Sequence, residues 1–190
     1  TLKAAKERKL TLAAGLAAFN NNPVKGLRLL QASGVVGPTP VDAAHFLRTT
    51  PGLDKTLIGE LLGHHEDAEV EIMHAFVQHM DFTPFPLIDE ALRQFLAAFR
   101  LPGESQKIDR LMEQFAFKWC QDNPTIVKSV DTAHVLAFSV IMLNTDAHNP
   151  MSECVLTKES FIEMNTSTED SKDLDPEYLA GIFHRIQEKE

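Results

Sequence analysis

Residues 87–115 read LIDEALRQFLAAFRLPGESQKIDRLMEQF, and this stretch decides the fold class. An apolar helical segment, 87–99, runs into a Pro-Gly break, and a second helical segment begins at Glu104-Ser105. Pro-Gly is a turn signal because proline fixes one dihedral angle and glycine adopts conformations that other residues avoid. An acid after such a turn lies at a helix start, where unpaired N–H groups and the helix dipole favour negative charge. Taken alone, the pattern predicts two helices with a stabilising acid between them.

Helical spacing of apolar residues continues on both sides of this stretch. Residues 2–20, 66–80 and 105–123 each carry one apolar stripe at helical spacing. The apolar run 135–143 fits a buried strand or a helix by pattern alone, but its length and its Ala, Met and Leu content favour an enclosed helix. The sequence therefore predicts an all-α fold of about ten short helices without a convincing strand.

Several predicted helix starts carry residues that cap the unpaired N–H groups of a first turn. Thr39 or Asp42 precedes one predicted helix, Asp54 precedes another, and Thr157 opens a third. Gly63 closes the helix that follows Asp54, as glycine often does at a helix end.

Composition bounds the class of protein. The 190 residues suit one domain with a sizeable core, and the charge of −9 argues against a nucleic-acid footprint. No stretch of 18 apolar residues could span a membrane. Cys120 and Cys154 form no CxxC pair, which indicates two free thiols in a reducing, intracellular setting. The chain begins without a methionine, and we expect a fragment of a longer protein.

The sequence contains no convincing metal or nucleophile motif. His64-His65-Glu66 lacks the second histidine four residues on that a zinc-binding helix needs, and His74 and His79 do not share a helix face. No phosphate-cradling glycine loop and no serine elbow occurs. We therefore predict no metal site and no covalent enzyme chemistry.

A second unusual stretch, MLNTDAHNP at 142–150, follows the apolar run. Many side chains that can form hydrogen bonds stand together there, and Pro150 ends the helix. One interpretation is a polar helix end and nothing more. The other is a binding surface at the mouth of a groove.

Residues 99–115 together with VLAFSVIMLNTDAHNP at 135–150 resemble the Sec-seven (Sec7) domain of the guanine-nucleotide exchange factors of Arf-type small GTPases. The resemblance covers nearly the whole chain, and the second motif is similar to the large Golgi-associated BIG subfamily. It implies a single domain over 1–190, elongated and all-α, with a hydrophobic groove between an N-terminal half (about 1–100) and a C-terminal half (about 101–190) that carries both motifs.

By this resemblance Glu104 is the glutamic finger, which promotes GDP release beside the phosphate and Mg²⁺. GDP, GTP and Mg²⁺ belong to the partner GTPase, so no cofactor of this chain is implied. Arg100 is implied to bind the GTPase, and its alternative role is a structural tie between the turn and a neighbouring carboxylate. Ile141 and Met142 are implied to line the groove for apolar side chains of the GTPase, and their alternative role is core packing. The other implied GTPase-binding residues are Asp109, His134, Asn144, Thr145, Asp146 and Asn149.

Two departures from the family pattern matter. His134 stands where the family often has tyrosine, so partner affinity or pH response is expected to differ. The positions linked in the family to brefeldin A hold Phe138, Ser139, Asp146 and Leu156. Sensitive members tend to have Tyr-Ser, Asp and Met there, and insensitive ones Phe-Ala, Ser and Pro. The mixture predicts partial sensitivity at most.

The implied partner is an Arf-family small GTPase, with no nucleic acid and with membrane contact only through the GTPase or flanking domains. The implied location is cytoplasmic, peripheral to Golgi and endosomal membranes. The absence of a heptad seam predicts a monomer. The alternative function is a helical interaction module that binds a GTPase or a partner helix without exchange activity.

Overall fold

The computed structural model describes residues 2–152, 156–172 and 174–189. These residues form ten α-helices and no strand, which confirms the predicted all-α class. Cys154 lies outside the described residues, whereas Cys120 is a free, half-buried thiol whose pKa is raised to about 11 by burial. The helices are α1 (Leu2–Phe19), α2 (Pro23–Ala32), α3 (Pro40–Thr49), α4 (Lys55–Leu62), α5 (Asp67–Gln78), α6 (Ile88–Leu96), α7 (Ser105–Asp122), α8 (Val130–His148), α9 (Lys158–Thr166) and α10 (Pro176–Glu188).

The predicted capping residues accept hydrogen bonds from backbone N–H groups at the helix starts. Thr39 and Asp42 are both used, because each accepts a hydrogen bond from the other's backbone N–H at 3.1 Å in a capping box. Asp54 accepts the N–H of Thr56 at 2.8 Å at the start of α4. Thr157 caps α9. Such caps stabilise a helix by ~1 kcal/mol each.

The chain forms two compact units. One comprises Thr1–Met80 and Phe95–Leu111, and the other comprises Asp81–Gln94 and Met112–Glu190. This division differs from the single boundary near residue 100 expected from the sequence, because α6 and α7 each contribute residues to both units. Glu104 consequently belongs to the first unit, while the second motif belongs to the other.

The first unit is built around aromatic contacts that end at the α6–α7 turn. Phe99 packs edge-to-face on Phe76 and Phe95, with ring centroids 5.9 and 5.0 Å apart, and all three rings are buried. Such edge-to-face pairs contribute ~0.5–1.5 kcal/mol each beyond the area they bury. The turn therefore begins from a fixed, buried residue.

The second unit contains a buried tryptophan, Trp119, and an ion pair whose acid, Asp89, is buried. The indole Nε1 of Trp119 donates to the Phe85 carbonyl at 2.9 Å, and the ring is fully buried. Arg185 of α10 donates two hydrogen bonds of 2.8 Å to Asp89 of α6, which is buried. α8 packs against α9 and α10 in this unit. No helix in the described part of the chain has both the length and the apolar content needed to cross a membrane.

Candidate functional site

The α6–α7 turn is fastened to the start of α4. The backbone N–H of Arg100 donates to the carbonyl of Lys55 at 3.0 Å, and the Lys55 ammonium donates to the carbonyl of Ala97 at 2.7 Å. Pro102 is buried as well. The Arg100 side chain is exposed, so the structural tie at this position is made by the backbone and not by its guanidinium.

Gly59 of α4 lets the turn approach the helix backbone. A Cβ atom at residue 59 would lie 1.8 Å from the Arg100 carbonyl oxygen, so only glycine fits there. The sequence analysis expected the glycine of the Pro-Gly break, Gly103, to supply a backbone conformation that other residues avoid, and this reason was wrong. Its φ is not positive, and a Cβ there would meet nothing within 4 Å. Close approach at Gly59, which no local pattern reveals, shapes this turn.

Glu104 directly precedes α7, and its side chain projects into solvent. Its carbonyl oxygen accepts the N–H groups of Lys107 and Ile108 at 3.0 and 3.1 Å, which confirms the predicted helix start. Its side chain is 71% exposed. Asp109 lies exposed in the second turn of the same helix. A carboxylate is thus presented to solvent at the start of α7.

Lys107 lies between two carboxylates. Its ammonium Nζ is 3.0 Å from Glu104 Oε1 and 2.6 Å from Glu60 Oε2, and only 16% of its side chain is exposed. The hydrogen bonds with Glu60 and then with Glu104 raise the pKa of Lys107. Sequence reasoning identified Glu104 but missed Lys107 and Glu60. Lys107 had the signal of i+3 spacing from Glu104, whereas Glu60 is 47 residues from Lys107 and had none.

One face of α8 in the second unit carries apolar side chains that remain accessible. Val135 and Met142 are each 53% exposed, and Ile141 is half-buried, so Met142 is not a core residue. The His134 and Phe138 rings meet edge-to-face with centroids 6.4 Å apart. Sequence reasoning missed Val135, although its spacing of seven from Met142 puts both on one face. The α8 stripe, as we call it, consists of His134, Val135, Phe138, Ile141, Met142 and Thr145.

The polar second motif forms the end of α8. Asn149 is exposed, its N–H donates to the Thr145 carbonyl at 2.9 Å, and its Oδ1 accepts the Met151 N–H at 3.0 Å. The hydroxyl of Thr145 donates to the Ile141 carbonyl at 2.9 Å. A shallow cavity of about 330 Å³ is lined by Asn144, Thr145, His148, Asn149 and Pro150.

Asp146 fastens the segment that follows α8. Its carboxylate accepts the hydroxyl of Ser152 and the N–H of Leu156, both at 2.6 Å, and these bonds lower the pKa of Asp146. Asp146 and Leu156, two of the four residues of the expected inhibitor pocket, are therefore in direct contact. Ser139, a third, is buried and its hydroxyl donates to the Val135 carbonyl at 2.9 Å.

Three possible metal ligands meet where α5 begins. The ligand atoms of His64, Glu66 and Glu69 lie within 4.8 Å of one another, and the Glu69 side chain is only 5% exposed. The Arg28 guanidinium lies 3.6 Å from Glu69 and 3.9 Å from Glu66 and supplies positive charge there. Sequence reasoning considered the first two residues and missed Glu69, since it sought a second histidine.

The chain is similar to known proteins over almost its full length. It is 48% identical over 182 residues to brefeldin A-inhibited guanine nucleotide-exchange protein 2 of Arabidopsis thaliana, covering 96% of this chain and 10% of that protein. It is 46% identical over 186 residues to exchange protein 1 of Homo sapiens, covering 97% and 10%. The chain thus spans about a tenth of the length of these relatives.

Two solved structures share the fold. The Sec7p catalytic domain superposes with a TM-score of 0.87 at 41% identity, covering 94% of this chain and 95% of that one. The structure of ARF1-GDP bound to a Sec7 domain complexed with brefeldin A gives a TM-score of 0.89 at 33% identity, covering 100% and 96%. The protein-family model that describes the Sec7 domain matches residues 8–190 of this chain. On these matches, and with the exposed acid after the Pro-Gly turn in place, the chain belongs to the Sec7 domain family.

Proposed function

We propose that this domain catalyses guanine-nucleotide exchange on an Arf-type GTPase, with Glu104 as the acidic finger that promotes GDP release. The observation that carries the proposal is an exposed carboxylate fixed at the start of α7 in a chain of the Sec7 family. The names of the relatives, exchange proteins inhibited by brefeldin A, and the solved complex with ARF1-GDP support it. No covalent bond is made or broken, and nucleotide and Mg²⁺ belong to the GTPase.

The finger acts by charge. A carboxylate about 4 Å from a phosphate, at an effective dielectric constant of about 20, costs about 4 kcal/mol. That energy corresponds to about three powers of ten in nucleotide affinity. A lysine of the GTPase that loses its phosphate partner can pair with Glu104, which stabilises the empty state.

The α8 stripe would bind the GTPase, so that the repulsion between Glu104 and the phosphate leads to release of the nucleotide. Its exposed apolar residues Val135 and Met142 would contact apolar side chains of the switch regions, and Asn149 would hydrogen-bond switch backbone. Exchange is accelerated because such contacts favour the nucleotide-free GTPase over the bound form. The same GTPase would meet Glu104 through its nucleotide site.

The test is the rate of nucleotide release from an Arf GTPase loaded with fluorescent GDP, with and without the domain. We expect acceleration that saturates with domain concentration. An unchanged rate at micromolar domain would contradict the proposal. Binding without acceleration would instead identify a helical interaction module.

Asn149→Ala should slow exchange by up to about tenfold, the effect of losing one net hydrogen bond of ~0.5–1.5 kcal/mol. Asn149→Asp is the matched variant, because it keeps an acceptor for the Met151 N–H while removing the amide donor. We expect both variants to exchange slowly and to melt cooperatively. Loss of cooperative melting in Asn149→Ala would show that the residue is structural.

Brefeldin A should inhibit this domain only partially. The double change Phe138→Tyr and Leu156→Met should lower the half-inhibitory concentration by about tenfold, because a tyrosine hydroxyl adds one hydrogen bond. The single change Leu156→Met serves as control, since the N–H of residue 156 keeps its bond to Asp146. Inhibition curves that are the same for wild type and double variant would remove Phe138 from the inhibitor site.

In the full-length protein we place this single domain in the cytoplasm, at the surface of Golgi and endosomal membranes. The parts of the protein beyond this chain would provide recruitment, and the domain itself would act as a monomer. Binding of the isolated domain to liposomes tests this assignment. We expect pelleting only when membrane-anchored, GDP-bound Arf is present, and pelleting with bare liposomes would contradict it.

A further inference from the structure

We propose that Glu60 is a positioning residue for Glu104 that acts through Lys107. By neutralising the Lys107 ammonium, Glu60 lets this lysine hold the finger without cancelling the finger's charge. The inference rests on the proposed exchange activity, and it assigns a role to a residue of α4 that lies outside both sequence motifs.

The geometry makes Glu60 the stronger partner of Lys107. The Lys107 ammonium lies 2.6 Å from Glu60 and 3.0 Å from Glu104, and all three residues belong to the same unit. The stem of Lys107 is packed against the end of α4, where a Cβ on Gly63 would come within 2.9 Å of it. The ammonium is therefore held in place while the Glu104 carboxylate remains exposed.

Glu60, Lys107 and Glu104 form the triad, and its net charge explains why two acids are needed. Glu60 and Glu104 contribute −2 and Lys107 contributes +1, so the sum is −1. Glu104 is the most exposed of the three, at 71% against 38% for the Glu60 side chain. Without the Glu60 charge the sum is zero, and Lys107 pairs with Glu104 alone. A neutral pair repels a phosphate far less than a carboxylate does, because the two opposite charges nearly cancel at the distance of the phosphate.

Glu60→Gln should lower kcat for nucleotide release about tenfold, which corresponds to about 1.4 kcal/mol, because Lys107 then cancels part of the charge of Glu104. KM for the GTPase should change by less than about twofold, because the residue acts on the release step and not on binding. Glu60→Asp, which keeps the charge, should retain at least about half of the wild-type kcat, since the change is conservative.

The double variant Glu60→Gln with Lys107→Gln is the decisive comparison. It restores the sum of −1, and we expect kcat at least about threefold above that of Glu60→Gln, because charge and not shape is limiting. Glu71→Gln is the matched control, since it removes one exposed acid of α5 in the same unit. A double variant no better than Glu60→Gln, or a Glu71→Gln variant equally slow, would overturn the proposal.

A spectroscopic measurement tests the triad without exchange activity. The ¹⁵N resonance of the Lys107 ammonium should shift in Glu60→Gln and, by a smaller amount, in Glu104→Gln, and it should remain in place in Glu71→Gln. No shift in either triad variant would contradict the geometry. Wild-type domain that releases no nucleotide would refute the proposed function, whereas an active wild type with a fully active Glu60→Gln variant would refute only this inference.

Discussion

Glu104→Lys should abolish nucleotide release, lowering the rate about 1000-fold, while a complex with the GDP-bound GTPase persists. The change replaces repulsion of the phosphate, about 4 kcal/mol at 4 Å and a dielectric constant of about 20, by attraction. The lysine would pair with the phosphate and hold GDP in place. Because the side chain of residue 104 is 71% exposed, the fold and binding through the α8 stripe should be retained.

The measurement combines release kinetics with size-exclusion chromatography of the mixture of variant and GDP-loaded GTPase. Glu113→Lys is the control, since it makes the same charge change at an exposed position of α7. We expect this control to exchange at a rate close to that of wild type. Release at the wild-type rate by Glu104→Lys would remove Glu104 from the mechanism.

Gly59→Ala should displace the turn that presents Glu104 and destabilise the domain by about 1–3 kcal/mol. The added methyl group would lie 1.8 Å from the Arg100 carbonyl, far inside van der Waals contact. Either α4 or the turn must therefore move, and the backbone hydrogen bond from Arg100 to Lys55 is strained with it. Exchange should fall together with stability, because the finger is carried by this turn.

Thermal unfolding tests this prediction, with an expected drop of about 2–12 °C in Tm for a domain of this size. Gly103→Ala is a close control for stability, since a Cβ at residue 103 meets nothing within 4 Å and its φ is not positive. Its Tm should stay within about 1 °C of wild type, as for an uncrowded surface change. Equal melting of both variants would show that α4 and the turn are not in close contact.

Local features were predictable because their causes are local. The Asp54 and Thr157 caps, the start of α7 after Glu104 and the all-α class all follow from residues within a few positions of one another. The resemblance to the Sec7 family also rests on continuous motifs. The single boundary near residue 100 differed from the observed division, because the sharing of α6 and α7 between two units depends on long-range packing.

The sequence by itself determined the all-α class, several of the helix caps, the family, and Glu104 as the residue to test. Only the tertiary structure decided how that acid is presented. Gly59 admits the turn, Lys107 holds the carboxylate, and Glu60 balances the lysine. The physical reason is that close approach and ion pairing depend on distance in space. Glu60 and Lys107 are 47 residues apart in the chain, yet their charged atoms lie 2.6 Å apart.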